Sequence, residues 1–210
     1  MNIDLFDFEL DKSKIALAPV HPRDRSKLLY LDNKKQFHNK IFSELPTLLD
    51  AGDTLVINET KVIPTFFEVF RLRGNNKSKI KVNLIKKISK SEWLILAKPK
   101  RRLIVGDHLL FSKNDNVIAD IVSFEKEEHI KINFNLKEGD IDDWLFSNGQ
   151  VPLPPYITSQ RDLKDNDKVS YQTVYATQNG SVAAPTAGLH FTEELLRQIV
   201  KNGVNVCKVV

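Results

Sequence analysis

Cysteine and long apolar runs are what this sequence has least of. Its one cysteine, Cys207, has no partner for an internal disulfide and no His or Cys around it at metal-ligand spacing. We therefore expect no disulfide and no metal site, and the scarcity of thiols suits a reducing, cytoplasmic compartment. No apolar run approaches the ~20 residues of a membrane-spanning helix. The acidic residues 1–7 lack the basic flank and apolar core of a signal peptide. We expect no membrane partner.

The charge balance is mildly basic. The 210 residues contain 31 lysines and arginines against 27 aspartates and glutamates, a formal net charge of +4, and the pI is about 9.0. Such a balance suits a partner that carries phosphates, although Lys-rich proteins without such a partner are common. The length allows one large domain or two small ones.

The hydrophobic period changes twice along the chain. Up to about residue 62, apolar residues predict a strand over 26–31, a turn at Asp32-Asn33, a helical segment over 41–49 and a strand over 54–58. From residue 63 to 136 the period is 2, which is typical of strands in a small barrel or sandwich.

The last stretch returns to mixed structure. Prolines predict an extended segment over 151–156. Thr192 is placed to cap a helix that Gly203 ends, and a strand follows over 204–210. We predict an α/β (mixed α+β) main domain, residues 1–62 and 137–210, with an inserted small all-β barrel-like domain, residues 63–136.

One segment combines small residues with a histidine before a helix. Residues 180–192 read GSVAAPTAGLHFT. Small side chains let a backbone approach a ligand closely, and a helix N-terminus attracts anions. His190 would lie at the mouth of such a ligand site, and its imidazole can transfer protons near neutral pH. A packed loop with a structural histidine has the same composition, and from composition alone it is the more common explanation.

The same segment is one of several that resemble a known family. They are FDFEL (6–10), PRD followed by SKLL (22–29), GD followed by LVINETKVIP (52–64), VPLPPYI (151–157), YQTVYA (171–176) and GSVAAPTAGLHFT (180–192). In this order they are similar to the S-adenosylmethionine:tRNA ribosyltransferase-isomerase family. Lys61 replaces the family's usual arginine, which keeps the charge but loses bidentate geometry. Glu59 and Leu17-Ala18 also depart from the pattern.

The resemblance covers only the front portion of that family. Its later Leu-His-Val-Gly-x-Gly-Thr-Phe, Met-His-x-Glu and Gly-Thr-Thr segments are absent from the 210 residues. We therefore expect a C-terminally truncated member in which part of the pocket is missing.

The resemblance implies an enzyme of queuosine biosynthesis. Such an enzyme transfers and isomerises the ribosyl part of S-adenosylmethionine onto 7-aminomethyl-7-deazaguanine at the tRNA wobble position, giving epoxyqueuosine. S-adenosylmethionine is consumed as a cosubstrate, so no bound cofactor or metal is implied. A cytoplasmic monomer that binds tRNA is expected. The alternative is a truncated, catalytically inactive tRNA-binding remnant of that enzyme.

The resemblance also suggests which residues form the sites. The expected catalytic residue is His190, as acid or base. For the cosubstrate we expect Pro185, Thr186, Ala187, Gly188 and Phe191; for the base-bearing substrate, Asn58, Thr60, Lys61, Tyr156, Tyr171 and Gln172. The cluster Lys98, Lys100, Arg101 and Arg102 is either a solvated turn or a tRNA contact. Arg23 and Asp24 are expected to form either a catalytic pair or a structural ion pair, and the structural role is favoured. Residues 162–168 are expected to form a solvated loop, with a lid as the alternative.

Overall fold

The chain divides into two compact units. The computed structural model describes residues 2–112, 116–126, 128–135, 141–181 and 183–210. One unit, here the α/β unit, comprises the described residues up to Asn58, Leu153–Tyr175 and Pro185–Val209. The other, the barrel unit, comprises the described parts of Glu59–Pro152 and Ala176–Ala184. The predicted domain boundaries at residues 62 and 136 stay a prediction.

Strands predominate among the regular elements. In chain order they are β1 (Lys27–Leu31), β2 (Phe37–Ile41), β3 (Thr54–Asn58), β4 (Thr60–Val62), β5 (Phe66–Arg73), β6 (Asn76–Lys87), β7 (Glu92–Lys98), β8 (His108–Ser112), β9 (Val117–Phe124), β10 (Ile130–Phe134), β11 (Gln178–Ser181) and β12 (Asn205–Val209). The α-helices are α1 (Ile141–Asn148), α2 (Pro155–Thr158), α3 (Asp167–Ser170) and α4 (Glu193–Lys201). Short 3-10 segments cover Ile3–Phe6, Lys12–Lys14, Arg23–Arg25, Phe42–Thr47, Lys100–Arg102 and Thr186–His190.

Six antiparallel strands close the barrel in the order β10-β7-β6-β5-β8-β9. Alternate residues of each strand point inward, so that Val69, Ile80 and Ile132 are completely buried while their sequence neighbours face outward. The period of 2 in the sequence therefore predicted the barrel correctly, because closure requires one apolar and one polar face on every strand.

Helix α1 completes the core of the barrel unit. Its Ile141 and Leu145 are fully buried with the barrel side chains, and Trp144 stacks on Phe67 with ring centroids 5.5 Å apart. The helix ends at Gly149, whose N–H donates to the carbonyl of Leu145 at 2.8 Å. In the same unit β4 pairs in parallel with β11.

The α/β unit is built on two strand pairs. Strands β1 and β2 form a hairpin whose turn is held by Asp32, which accepts hydrogen bonds from the N–H groups of Lys34 and Gln36. Strands β3 and β12 pair in parallel. Helix α4 precedes β12, and its Leu195 and Ile199 are buried with other apolar residues of the unit.

The predicted helical elements are partly confirmed. Thr192 caps α4, because its hydroxyl accepts from the N–H of Leu195 at 3.1 Å. The helical segment over 41–49 is instead the end of β2 followed by the 3-10 segment Phe42–Thr47, which contains Pro46. Proline removes the hydrogen bond that a continuous α-helix needs.

The extended segment predicted over 151–156 is wrong at its end. Helix α2 begins at Pro155, because proline disfavours helix for the residue before it but fits the first helical position itself.

The predicted fold class is confirmed: the chain combines mixed α and β structure with a closed six-stranded barrel. Among the described residues, none of the helices has the length and apolar character to cross a bilayer.

Gly149 is expected to be irreplaceable for packing. A Cβ at this position would overlap the carbonyl oxygens of Pro64 and Leu145, which are backbone atoms that cannot move aside. We expect Gly149→Ala to lower the free energy of unfolding by about 2–3 kcal/mol, as other overpacked sites do. Urea denaturation measures this. The control is Gly74→Asn, since Gly74 has φ 52°, which asparagine tolerates, and open space around it. Equal stability of Gly149→Ala and the wild type would contradict the prediction.

Candidate active site

A cavity of about 230 Å³ lies within the α/β unit. It is bounded by the N-terminal segment, by α2 and α3, and by the loop before α4. Its lining residues are Ala16, Leu17, Ala18, Pro19, Arg23, Ser26, Leu153, Tyr156, Ile157, Arg161, Asp167, Ser170, Tyr171, Thr186, Leu189 and His190. Most of this lining is apolar. Its charged or titratable side chains are the Arg161–Asp167 ion pair, the guanidinium of Arg23, the imidazole of His190 and two tyrosines.

The ion pair joins Arg161 and Asp167. Two guanidinium nitrogens donate to the two carboxylate oxygens at 2.8 and 2.7 Å, and the pair is largely buried, with 13% and 9% of the two side chains exposed. Asp167 also accepts from the N–H of Lys164 at 2.8 Å. The hydrogen bonds from Arg161 hold the pKa of Asp167 below its usual value.

The same arginine reaches a third segment. Nε of Arg161 donates to the carbonyl of Leu17 at 2.6 Å. It thereby connects the N-terminal segment with α2 and α3, although these three parts share no strand ladder. The expectation of a solvated loop over 162–168 is wrong at Asp167, because its carboxylate is paired and buried rather than hydrated.

Arg23 makes a second connection of this kind. Its guanidinium donates to the carbonyl oxygens of Gln172 and Val169, each at 2.5 Å. The predicted ion pair with Asp24 is wrong; Asp24 has no ion-pair partner among the described residues. The structural role expected for Arg23 is consistent with these bonds, but its partners are backbone carbonyls.

His190 faces the cavity from the loop before α4. Its ring lies 5.3 Å from that of Phe42, tilted by 50°. Burial lowers the pKa of the imidazole below its usual value of 6.5, so the neutral form predominates at pH 7. A neutral imidazole has a free lone pair and is able to accept a proton.

The small residues of this loop have different neighbours. Thr186 lines the cavity together with Leu189 and His190. Gly188 is buried, and a Cβ there would overlap the hydroxyl of Tyr175. Phe191 packs edge-on against Phe42 in the hydrophobic core, with ring centroids 4.9 Å apart. The loop therefore contributes to packing and to the cavity at the same time.

The structure brings together only part of the predicted site. His190, Thr186, Tyr156 and Tyr171 line the cavity. The cavity lining does not include Pro185, Ala187, Gly188, Phe191, Gln172, Asn58, Thr60 or Lys61. Asn58 is exposed at the end of β3, while Thr60 is buried in β4 opposite Gln178 and Lys61 is exposed there opposite Asn179. Their predicted roles in substrate binding stay predictions.

The predicted basic cluster lies at the end of β7 and in the 3-10 segment Lys100–Arg102. Lys98, Arg101 and Arg102 are exposed. Lys100 is partly neutralised by Glu128, 3.2 Å away. Among the described residues, no group of three His, Cys, Asp or Glu side chains is arranged to hold a metal ion.

Comparison with known proteins identifies the family. The sequence profile of the family described as "Queuosine biosynthesis protein" matches residues 3–210. The chain belongs to this family. A relative from Mesorhizobium japonicum, named S-adenosylmethionine:tRNA ribosyltransferase-isomerase, is 40% identical over 97% of this chain and 58% of its own length. A relative of the same name from Beijerinckia indica is 39% identical over 100% of this chain and 59% of its own length.

The chain spans 58–59% of the length of these curated relatives of the queuosine biosynthesis family. Among solved structures, that of an S-adenosylmethionine tRNA ribosyltransferase from Thermotoga maritima matches 97% of this chain and 56% of its own chain. The identity is 26% and the TM-score is 0.37.

Neither the sequence patterns nor the family resemblance predicted the ion pair between Arg161 and Asp167. Arg161 and Asp167 are six residues apart and belong to a run of charges, a spacing that neither helix nor strand periodicity singles out. The apolar wall from Leu17, Leu153 and Leu189 was missed as well. The usable signal was weak: Arg161 lies four residues after the end of the proline-rich motif, and Asp167 lies four residues before YQTVYA.

The Arg161–Asp167 pair is expected to stabilise the protein in a pH-dependent way. Because the folded state lowers the pKa of Asp167 from its ordinary 3.8, folding favours the carboxylate form. The stabilisation is present above pH 3.8 and is lost as the pH falls through the lower folded pKa. We expect Asp167→Asn to reduce the free energy of unfolding by about 2 kcal/mol at pH 7, and the deficit to shrink below pH 3.8.

Urea denaturation at a series of pH values measures this difference. The control is Asp165→Asn, which removes an exposed carboxylate two residues away; surface changes of this kind stay within about 0.5 kcal/mol. A pH-independent deficit for Asp167→Asn would show that the carboxylate charge is not the stabilising group.

Proposed function

We propose that this chain provides the cosubstrate cavity and the base of an enzyme that modifies tRNA. The reaction transfers and isomerises the ribosyl part of S-adenosylmethionine onto 7-aminomethyl-7-deazaguanine at the wobble position of tRNA, giving epoxyqueuosine. Family membership supports the reaction class, since the matched relatives are named S-adenosylmethionine:tRNA ribosyltransferase-isomerase. The single observation on which the proposal rests is the cavity beside His190.

The cavity suits a nucleoside-sized part of the cosubstrate. At about 230 Å³ it is smaller than the ~300–1,000 Å³ of pockets that enclose whole small-molecule ligands. It therefore fits a base or sugar better than the complete cosubstrate. Its apolar wall offers contact surface for a ring, and the tyrosine faces of Tyr156 and Tyr171 suit the neighbouring sulfonium cation.

The reaction needs a base to remove a proton from the carbon beside the sulfonium. His190 is the proposed base. It lines the cavity, and burial lowers its pKa, so that at neutral pH the imidazole is ready to accept a proton. In the proposed step the proton passes from that carbon to an imidazole nitrogen. The aminomethyl nitrogen of the modified base then forms a bond to the ribosyl group in the same site. The bonds of that group to adenine and to the methionine sulfur break, so that adenine and methionine are released.

The tRNA is proposed to bind through basic side chains of the barrel unit. Lys98, Arg101 and Arg102 are exposed and have no carboxylate partner among the described residues. Side chains of this kind contact phosphates mainly through charge, with little dependence on nucleotide sequence. The proposed location is the cytoplasm, where the substrate tRNA is modified, and the proposed state is a monomer without a bound cofactor.

Replacement of His190 tests the proposed base. The assay measures release of adenine from S-adenosylmethionine in the presence of tRNA carrying the 7-aminomethyl-7-deazaguanine base. We expect His190→Ala to reduce kcat by about 10²–10⁴-fold, the usual contribution of a general base. Because burial lowers the pKa of His190, we expect kcat of the unmodified enzyme to hold at pH 6.5 and to fall at lower pH.

The assay is run on this 210-residue chain and on a full-length relative with the same loop sequence. The control is His38→Ala, which removes a histidine of the β1–β2 hairpin that pairs with Asp32 and does not line the cavity. Normal turnover by His190→Ala would remove the proposed role. Binding of tRNA without adenine release by this chain would favour the alternative, a non-catalytic tRNA-binding protein.

A further inference from the structure

The positive charge of this chain is concentrated in one stretch. Residues 66–102 contain 12 of the 31 lysines and arginines but only 2 of the 27 aspartates and glutamates. This stretch thus has a formal charge of +10, whereas the rest of the chain has −6, and the modest total of +4 conceals the difference. Such asymmetry creates a local field that attracts a polyanion.

Strand alternation places a row of these charges on the outer surface of the barrel. Lys77, Lys79 and Lys81 alternate along β6 with inward residues such as Ile80, which is completely buried. Alternate residues of a strand are ~6.8 Å apart, a distance comparable to that between successive phosphates of an RNA strand. In the strand register Lys81 lies between Glu68 of β5 and Lys98 of β7, so the row of lysines extends from β6 onto β7 and has a glutamate on its β5 side.

The charges of this row are only partly compensated. Lys79 and Lys81 share one carboxylate, Glu68; the Lys79 pair is close and the Lys81 pair is 3.9 Å long. Both lysine side chains remain about 60% exposed, at 60% and 62%. Lys98 has no carboxylate partner among the described residues.

Other basic side chains of the stretch are engaged elsewhere. Arg71 is buried and donates to the hydroxyl of Ser78 at 3.1 Å. Arg73 forms a bidentate pair with the buried Asp107, at 2.6 and 2.7 Å. The positive surface is therefore the outer face of β6 and its neighbours, and these two arginines are not part of it.

An aromatic ring lies within the same surface. Phe70 is 39% exposed on β5, opposite Lys79, and the ammonium of Lys77 lies 3.9 Å from the centre of its ring. Exposed aromatic rings beside cations are the usual platforms on which unpaired bases of RNA stack. A flat ring among lysines favours nucleic acid over a polyanion without bases.

We propose that Phe70, Lys77, Lys79, Lys81 and Lys98, the lysine face, form a docking surface for tRNA. The lysines contact successive phosphates, and Phe70 stacks on an unpaired base. The identity of the RNA as tRNA rests on the proposed function, whereas the location of the surface rests on the charges and the strand register.

The test compares charge-matched variants by their affinity for tRNA over a series of KCl concentrations, measured by fluorescence anisotropy. The first variant combines Lys79→Gln, Lys81→Gln and Lys98→Gln. The control combines Lys12→Gln, Lys34→Gln and Lys201→Gln, which removes the same charge from exposed positions of the α/β unit. Each lost phosphate contact lowers the slope of log K against log salt by about 0.7–0.9. We expect the first variant to lose about two units of slope and at least tenfold in affinity, and the control to lose under threefold.

A third variant, Glu68→Gln, gives a result of opposite sign. This substitution removes the carboxylate that pairs with Lys79 and Lys81, so we expect tRNA to bind several-fold more tightly. If these lysines serve only to stabilise the barrel, the affinity for tRNA will not increase. A first variant that binds like the control, or a Glu68→Gln variant that binds no more tightly, would overturn the lysine face while leaving the proposed function intact. If the wild-type chain does not bind tRNA at all, both the lysine face and the proposed tRNA partner fail.

Discussion

A guanidinium between a buried carboxylate and a backbone carbonyl holds together the wall of the cavity. The N-terminal segment, α2 and α3 contribute short turns rather than strands, so no ladder of backbone hydrogen bonds joins them. Arg161 supplies the missing links through charge-assisted bonds to Asp167 and a bond to the carbonyl of Leu17. Removing either partner of such a pair leaves a buried charge uncompensated, which destabilises more than the pair itself stabilises. Arg161 and Asp167 therefore join three of the segments that line the cavity beside His190.

Two kinds of recognition are assigned to two kinds of surface. The cavity is mostly apolar, its Arg161–Asp167 pair is internally neutral, and the guanidinium of Arg23 is bound to backbone carbonyls. Such a lining suits recognition by shape and by a few polar groups. The outer face of the barrel carries a net positive charge that acts over the Debye length, ~8 Å at physiological salt. Phosphate contacts hold an RNA in place without reading its sequence. In the proposed function, selection of the tRNA base is therefore assigned to the cavity, and affinity for the RNA is assigned to the outer face of the barrel.

The sequence predicted what depends on periodicity and missed what depends on long-range contacts. The barrel followed from alternation in residues such as Ile80 and Val82, and α4 from its cap at Thr192. The hairpin strand β2 (Phe37–Ile41) was missed, because its sequence FHNKI has polar residues at its three central positions and so lacks an apolar run. The carbonyl partners of Arg23 are 146 and 149 residues away in sequence, at Val169 and Gln172, and no local pattern contains that information. His190 was singled out through its surrounding motif; it lines the cavity, and its catalytic role stays a prediction.

The loop before α4 contributes residues both to the hydrophobic core and to the cavity. Gly188 has no side chain because the hydroxyl of Tyr175 occupies that space, and Phe191 is anchored in the core against Phe42. These contacts fix the loop on its inner side, and the residues between them, Leu189 and His190, consequently face the cavity. A rigid backbone is what positions an imidazole for proton transfer, since a misplacement of about 1 Å is enough to slow a reaction 10²-fold. The small residues serve the site by packing tightly behind it.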